Sequence, residues 1–330
     1  MAEQQKPVIT SRAFFEAVAW GFLCSVFLVI IPYFATRYFG EAPHQHLLDY
    51  SMGLIALLPF VQGLFAGYKT YPYTMSGWKH FYMLFYIYCS DFIASWLFFK
   101  EGYICLLMAA PIYMAVIQMG IALGRGICSL RKSNTIRASL VPVAVMLAVF
   151  DGAGPAPVYS NAISDTVTIN ATPEQVWKYM VEYPVNTKPS EYWLWDIGLP
   201  MPTQSVAEAQ AVGAKRECRF TDGIVFEEKI TEIVPNKVLT FDITKQPEHP
   251  EIIGHFSLDK GQMYLERNPD GTTSIIATSW YRLYVRPAKY FDWWAEDIVR
   301  NVHFRVLGHI KELAEKEAKQ PQMAFNAAAN

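Results

Sequence analysis

His303 is the side chain in the second half of the chain best suited to acid–base chemistry. It follows Val302 in a segment with the periodicity of a helix, and an imidazole gains or loses a proton near neutral pH. It can act as a general acid or base if a substrate reaches it and its surroundings tune its pKa. The alternative is a histidine that only satisfies hydrogen bonds or is solvated, and the sequence leaves these possibilities open.

Two groups of charged residues could contribute to the same chemistry. Glu227 and Glu228 are neighbours in a strand-like run, so they point to opposite sides and at most one enters an interior. Asp297, Asn301 and Arg305 recur at four-residue spacing on one helix face, which is typical of a solvated polar ladder. Neither group by itself predicts a catalytic site.

The sequence contains none of the common catalytic motifs. No Ser-His-Asp arrangement, phosphate-binding loop or HExxH motif can be identified, and no cluster has the spacing of metal ligands. The five cysteines show no disulfide or metal spacing, and a net charge of −2 without a basic tract gives no footprint for nucleic acid. We therefore predict no metal, no cofactor and no nucleic-acid partner.

A strand and one long helix at the end of the chain must position His303. Residues 274–285 are rich in β-branched and aromatic residues, which favours a strand, and Pro287 follows. The apolar residues of the helix recur at three- and four-residue spacing: Trp294, Ile298, Val302, Val306, Ile310 and Leu313. Such an apolar stripe needs a sheet to lie against.

The preceding segments can supply that sheet. Residues 163–170 alternate like a strand, Thr172, Pro173 and Gln175 have the spacing of a capped helix start, and 182–209 are predicted to form short helices and loops. Further strands are predicted at 215–221, 224–234, 237–244, 254–258 and 261–267. The order strand, helices, about six strands and long helix predicts an α+β domain.

This half resembles the SRPBCC superfamily, which includes START lipid-transfer domains, the birch-pollen-allergen family and polyketide cyclase/dehydrase-like proteins. The similar stretches are Val167–Trp177, Glu217–Phe241, Ser279–Arg282, Pro287–Tyr290 and Val302–Lys311, within about residues 160–318. The resemblance implies a helix-grip domain, in which a curved antiparallel sheet wraps a long C-terminal helix. It also implies a hydrophobic cavity between the sheet and that helix.

The implied cavity has many candidates for its lining, and each could equally belong to an ordinary core. The predicted ligand-binding residues are Trp177, Trp193, Trp195, Phe226, Phe241, Tyr264, Trp280, Tyr281, Tyr284, Trp294, Ile298 and His303. A mainly apolar site of this kind suits a lipophilic small molecule.

The first half of the chain is predicted to be a bundle of transmembrane helices. Crossing a bilayer core takes about 20 apolar residues, and the uncharged runs of this length are 17–36, 50–68 and 102–124, joined by 80–99 with Asp91 as its one charge. Asp91 should face the bundle interior, with Gln62 or Gln118 as partner. A shorter fifth run, 138–150, contains Pro142 and could span or lie in the interface.

These observations predict residues 1–150 as the membrane domain, 151–158 as a linker, 159–318 as the SRPBCC-like domain and 319–330 as a disordered tail. The distribution of Lys and Arg places the amino terminus in the cytoplasm, so a spanning fifth run leaves the second half outside the cytoplasm and a non-spanning one leaves it inside. We expect a multi-pass protein of the inner or plasma membrane with an extracytoplasmic domain. The oligomeric state stays open.

The predicted function is membrane-anchored binding or transfer of a hydrophobic ligand, such as a lipid or isoprenoid. Tethering would hold an apolar site where such ligands are concentrated. The alternatives are a cyclase/dehydrase-type enzyme acting on an apolar polyketide-like substrate and a ligand sensor coupled to the bundle.

Overall fold

The structure, a computed structural model, describes residues 6–27, 44–99, 102–130, 158–189, 191–252 and 255–328. The chain divides into two units, Met1–Ala156 and Pro157–Asn330. The predicted linker lies almost entirely outside the described residues, as does the whole of the predicted fifth membrane run.

The N-terminal unit is helical. Its helices are α1 (Ser11–Ser25), α2 (His44–Thr70), α3 (Gly77–Ala94) and α4 (Tyr103–Leu130), and a π-helical segment, Ser95–Phe99, follows α3. Helices α1 and α3 begin after Thr10 and Ser76, whose side chains accept hydrogen bonds from the backbone of the first turn.

Glycines bring the backbones of α2 and α4 into direct contact. A Cβ atom on Gly63 or Gly67 would lie 2.3 Å from a backbone oxygen of α4, and one on Gly120 or Gly124 would lie 2.3 or 2.1 Å from a backbone oxygen of α2. No larger residue fits at these four positions without separating the helices. Both helices thus carry the Gly-x-x-x-Gly spacing that permits close helix packing.

One helix of the described segments is long and apolar enough to cross a membrane. It covers Tyr103–Ser129, with a mean hydropathy of 2.0, and contains most of the fourth predicted run. The second run falls in α2, the third in α3 and the π-helical segment, and part of the first lies outside the described residues. Because the buried helix of a soluble protein can have the same length and composition, the multi-span bundle stays a prediction.

Asp91 is buried inside this unit, and its partner is Gln62. The Gln62 side-chain amide donates to Oδ1 of Asp91 over 2.6 Å, and Ser90 donates to the Gln62 oxygen over 2.9 Å. Gln118, the other candidate, instead bonds His80. An interhelical hydrogen bond thus joins α2 to α3 at a site without solvent exposure.

The C-terminal unit contains a seven-stranded antiparallel sheet of order β1-β7-β6-β5-β4-β3-β2. Its strands are β1 (Tyr159–Ile169), β2 (Pro202–Ala207), β3 (Lys215–Phe220), β4 (Val225–Val234), β5 (Val238–Lys245), β6 (Phe256–Arg267) and β7 (Thr273–Leu283). Register shifts between β2 and β3, β4 and β5, and β6 and β7 bend the sheet.

Two predictions about the strands are corrected. Residues 202–207, predicted as loop, form the edge strand β2, which tolerates Pro202 because it is the first residue of an edge strand. The segments 254–258 and 261–267 are not separate strands, since β6 runs from Phe256 to Arg267 through a bulge. Bulges cannot be distinguished from turns by local composition when glycine is present, as at Gly261.

Three helices complete this unit: α5 (Pro173–Val181), α6 (Trp193–Asp196) and α7 (Ala288–Ala328). The predicted capping box of Thr172 and Gln175 is present at the start of α5. Core residues of the sheet pack against α5 and α7. Helix α7 contributes Leu307 and Ile310 to this core. A curved antiparallel sheet with a long C-terminal helix against one face is the helix-grip architecture.

Helix α7 extends further than predicted. It continues to Ala328, into the segment 319–330 that was predicted to be a disordered tail. Apart from Pro321, the segment is rich in residues of high helix propensity, so it can prolong a helix that the sheet already stabilises.

Candidate functional site

The face of the sheet turned toward α7, the inner face, is defined by alternation along the strands. In β1 the side chains of Ile163, Asp165 and Ile169 are buried while those beside them in sequence are more exposed. In β7 the same period places Ala277 and Tyr281 on the buried side. Because successive side chains point to opposite faces, Asp165 is a carboxylate among apolar inner-face residues.

Three side chains from β1, β7 and α7 form a hydrogen-bonded chain, the relay Asp165–His303–Ser279. Nδ1 of His303 lies 2.8 Å from Oδ2 of Asp165, and Nε2 lies 2.8 Å from Oγ of Ser279. Nη1 of Arg300 donates to Oδ1 of Asp165 over 2.7 Å. Asp165 and His303 are 5% and 7% exposed, whereas Ser279 is half-buried.

The carboxylate determines which nitrogen of His303 carries the proton. A carboxylate can only accept hydrogen bonds, so Nδ1 of the ring must donate to Asp165. Burial lowers the pKa of His303 below its ordinary value, although the hydrogen bond and charge of Asp165 act in the opposite direction. The ring is therefore neutral at neutral pH, and Nε2 accepts a hydrogen bond from the Ser279 hydroxyl.

The relay has the residue types of a serine hydrolase triad, but its serine cannot offer its own backbone N–H to an oxyanion. Ser279 lies within β7, between β1 and β6, so its backbone is committed to the ladder and cannot stabilise an oxyanion. Within the described ranges, no group of three or more His, Cys, Asp or Glu residues could hold a metal ion. The relay is suited to hydrogen bonding and proton transfer at one polar point of the inner face.

The sequence did not reveal this arrangement, and the statement that no Ser-His-Asp arrangement can be identified is corrected. His303 is 138 residues from Asp165 and 24 from Ser279, and the three meet because β1 pairs with β7 and α7 packs against the same sheet. One signal was available. Asp165 occupies the position of an inward-facing residue in an alternating strand, where an acidic side chain is rare unless it has a partner.

A second buried polar pair lies across β3 and β4. Arg216 and Glu228 form an ion pair at 2% and 4% side-chain exposure, and Nε of Arg216 donates to the Val181 carbonyl oxygen over 2.8 Å. The guanidinium also lies 4.7 Å from the centre of the Phe241 ring. Glu228 is thus the inward-facing member of the pair 227/228, and its partners are protein groups.

Four of the predicted ligand-binding aromatics are buried in this unit. Trp177 and Phe241 belong to the core that includes α5 and α7, Phe226 packs against Phe220 at 5.1 Å between ring centres, and Tyr281 stacks on Phe256. The Tyr281 hydroxyl donates to Asp292 over 2.6 Å, which joins β7 to the start of α7. Their role as ligand contacts stays a prediction.

Trp195 and Trp294 differ from the other tryptophans of the unit. Both are half-buried, and the Nε1 atom of each is buried without a hydrogen-bond partner among the residues that the structure describes. Trp177, in contrast, donates to Gln210 over 3.4 Å. Trp195 lies beside α7, with its ring 5.6 Å from the Arg305 guanidinium carbon. Two buried donors are thus left without an acceptor from the described part of the chain.

The structure does not bring all predicted residues to one place. Tyr264 and Trp280 alternate with the inner-face residues Met263 and Tyr281, so they lie on the outer face of the sheet. Trp193 is 47% exposed. Tyr284 and Ile298 are half-buried. A shared lining of all twelve residues is therefore excluded, because strand alternation separates neighbours that composition groups together.

Some solved structures are similar to part of the chain, although their sequences share only 9–15% identity with it. No family model and no curated protein matches it. Solved structures that are similar to part of the chain include a protein from Nitrosospira multiformis (15% identity, 48% of this chain and 99% of that chain, TM-score 0.32). Others are truncated norcoclaurine synthase from Thalictrum flavum (9%, 49% and 94%, 0.32) and Ara h 8.0201 (13%, 47% and 98%, 0.32).

Proposed function

We propose that the C-terminal unit binds a hydrophobic ligand between its sheet and α7, and that the ligand carries at least one hydrogen-bond acceptor. The observation that carries the proposal is the pair of buried indole N–H groups of Trp195 and Trp294 without partners in the described chain. A buried donor without an acceptor costs about 1–3 kcal/mol and is rare in folded proteins. A carbonyl, ester or hydroxyl oxygen of an apolar ligand would satisfy these donors.

Native mass spectrometry of the purified full chain tests the proposal directly. After exposure to a lipid extract, the chain is expected to carry a lipophilic molecule that withstands removal of bulk detergent. A chain that neither carries nor acquires such a molecule would contradict ligand binding.

The role of the indoles is tested with matched variants. Trp195→Phe and Trp294→Phe keep a ring and remove the donor, so each is expected to weaken ligand retention by about five- to tenfold, the usual effect of one hydrogen bond. Trp193→Phe and Trp293→Phe change neighbouring tryptophans that are 47% and 70% exposed, and these controls should retain ligand normally. Equal behaviour of all four variants would contradict the assignment.

The relay favours a second candidate, an enzyme that acts by acid–base catalysis on an apolar substrate. A neutral His303 held by Asp165 is an appropriate proton acceptor. Incubation of the full chain with a lipid extract should then yield a product, found by chromatography and mass spectrometry, that is absent with His303→Gln. The same products from both chains, or none from either, would remove this candidate.

We further propose that the N-terminal unit anchors the protein in a membrane as a multi-pass bundle. Helix α4 has the required length and hydropathy, α2 and α4 pack through glycines, and the polar pair Asp91 and Gln62 faces inward. Large apolar side chains are exposed on α1, α3 and the π-helical segment: Phe15, Trp20, Leu23, Trp78, Phe81, Tyr82, Phe85, Tyr86, Ile93, Trp96 and Leu97. A buried polar pair beneath an apolar surface suits a lipid environment.

Fractionation of cells and labelling test this anchoring and its topology. The chain should stay with membranes through alkaline carbonate extraction, and release into the soluble fraction would contradict the anchor. Ser160→Cys, at an exposed position of β1, should react with an impermeant maleimide in intact cells, above the background of the parent chain. Labelling only after lysis would place the C-terminal unit in the cytoplasm.

A further inference from the structure

The directions of the hydrogen bonds in the relay leave the Ser279 hydroxyl able to accept a further hydrogen bond but not to donate one. Asp165 accepts from Nδ1 of His303, so Nε2 of the neutral ring must accept, and the hydroxyl of Ser279 must donate to it. A hydroxyl has one proton and two lone pairs. With its proton committed to His303, Ser279 Oγ can offer a ligand only an acceptor.

Protein groups do not use this acceptor in the described structure. The one side-chain hydrogen bond recorded for Ser279 Oγ is the one to His303. Its partner across the sheet on β6 is Gly261, which has no side chain of its own. A Cβ at Gly261 would lie 2.5 Å from the Phe241 ring, so this ring lies directly beside the inner face next to Ser279.

We propose that Ser279 is a specificity-determining residue that selects hydrophobic ligands bearing a hydroxyl or N–H donor over ligands of the same shape that can only accept. This inference rests on the proposed ligand binding. Ser279 is half-buried, so a bound apolar ligand without a donor would cover its lone pairs and leave them unsatisfied. Such mismatches discriminate more strongly than an added or missing methylene group.

Two isomers provide the probe pair: 1-decanol, which can donate, and methyl nonyl ether, which can only accept. Displacement of a bound environment-sensitive dye, 1-anilinonaphthalene-8-sulfonate, from the full chain measures both in the same detergent. The unaltered chain is expected to prefer the alcohol by about five- to tenfold, the usual effect of one hydrogen bond. Each probe also partitions into detergent, but this effect is the same for every variant. It therefore cancels when the ratio of alcohol affinity to ether affinity is compared between the unaltered chain and a variant.

Ser279→Ala removes the acceptor and is expected to bring the preference close to that of detergent alone. Ser164→Ala is the matched control, because Ser164 is a serine on the neighbouring strand whose hydroxyl bonds Thr278 on the outer face. This control should keep the full preference. A preference that survives in Ser279→Ala would overturn the inference.

Asp165→Asn tests the same idea without changing Ser279, which matters if Ser279→Ala does not fold. Arg300 donates to Oδ1 of residue 165, so the oxygen of the amide should stay there and its NH₂ should face Nδ1 of His303. His303 then carries its proton on Nε2 and donates to Ser279, whose hydroxyl becomes a donor to the ligand. Binding of the ether should rise relative to the alcohol, and an unchanged ratio would overturn the inference.

The failure of this inference can be distinguished from failure of the proposed function. If both probes displace the dye from the unaltered chain with equal affinity, the site binds apolar ligands without the proposed selection. If neither probe displaces the dye and mass spectrometry finds no bound lipophile, ligand binding itself is contradicted.

Discussion

Burial of His303 in the relay couples the stability of the C-terminal unit to pH. Burial lowers the pKa of this imidazole in the folded state, so the unfolded chain binds a proton more readily than the folded one. The full stability is therefore present above the ordinary pKa of about 6.5 and is lost as the pH falls below it. Asp165 and Ser279 are hydrogen-bonded to the ring, and the charge of Arg300, which bonds Asp165, also acts on it.

The unfolding midpoint of the sheet, followed by far-ultraviolet circular dichroism, is expected to fall as the pH is lowered from about 8 to about 5.5. His303→Gln should remove part of this fall, because glutamine does not titrate. His249→Gln, in the loop before β6, serves as the control and should keep the pH dependence of the parent chain. An identical pH dependence in the His303 variant would contradict the link.

At the level of elements, β4 carries two adjacent acidic residues: Glu228 is buried and pairs with Arg216 of β3, and Glu227 is exposed and pairs with Lys245 of β5. Glu228→Gln leaves Arg216 as an uncompensated buried charge, with an expected loss of about 3–5 kcal/mol in the free energy of unfolding. Glu227→Gln breaks only the exposed pair with Lys245 and should cost at most about 1 kcal/mol. Urea denaturation of the two variants measures the difference, and similar losses would contradict it.

The close contact of α2 with α4 predicts that a larger residue at the contact destabilises the N-terminal unit. In Gly124→Ala the new methyl group would lie 2.1 Å from the Leu64 backbone oxygen, so the helices must separate. In Gly126→Ala the methyl group meets nothing within 4 Å, and alanine favours a helix. Thermal aggregation of the full chain should begin at a lower temperature for the first variant and not for the second. Equal onset temperatures would show that the glycines are not a packing contact.

At the level of the whole molecule, each unit has its own core. The core of the C-terminal unit is formed by its own strands and by α5 and α7. Residues 157–330 alone are therefore expected to give a folded domain with protected β-sheet amides in hydrogen exchange. The shorter chain 157–287 lacks Leu307, Ile310 and Ala314 of α7 and should not fold. An unfolded 157–330 chain would contradict independent folding.

Local patterns predicted most elements of this protein but not the contacts between them. The spacing of Thr172, Pro173 and Gln175 predicted the start of α5, and the apolar stripe predicted α7, because capping and helical period act within a few residues. The edge strand β2 was missed, since its stability comes from pairing with β3 and hardly from its own composition. The relay was also missed because it depends on contacts between distant segments: its members lie on β1, β7 and α7.

The sequence by itself determined most of the strands, the long C-terminal helix that needs a sheet to lie against, and a polar residue at Asp91 that needs an interior partner. These follow from periodicity, propensity and the cost of burying charge, which depend on residue type and spacing. Tertiary structure alone decided that Gln62 is that partner, that Tyr264 and Trp280 face outward, and that Asp165, His303 and Ser279 meet. Strand register and helix placement fix such contacts, and both depend on the packing of residues far apart in the chain.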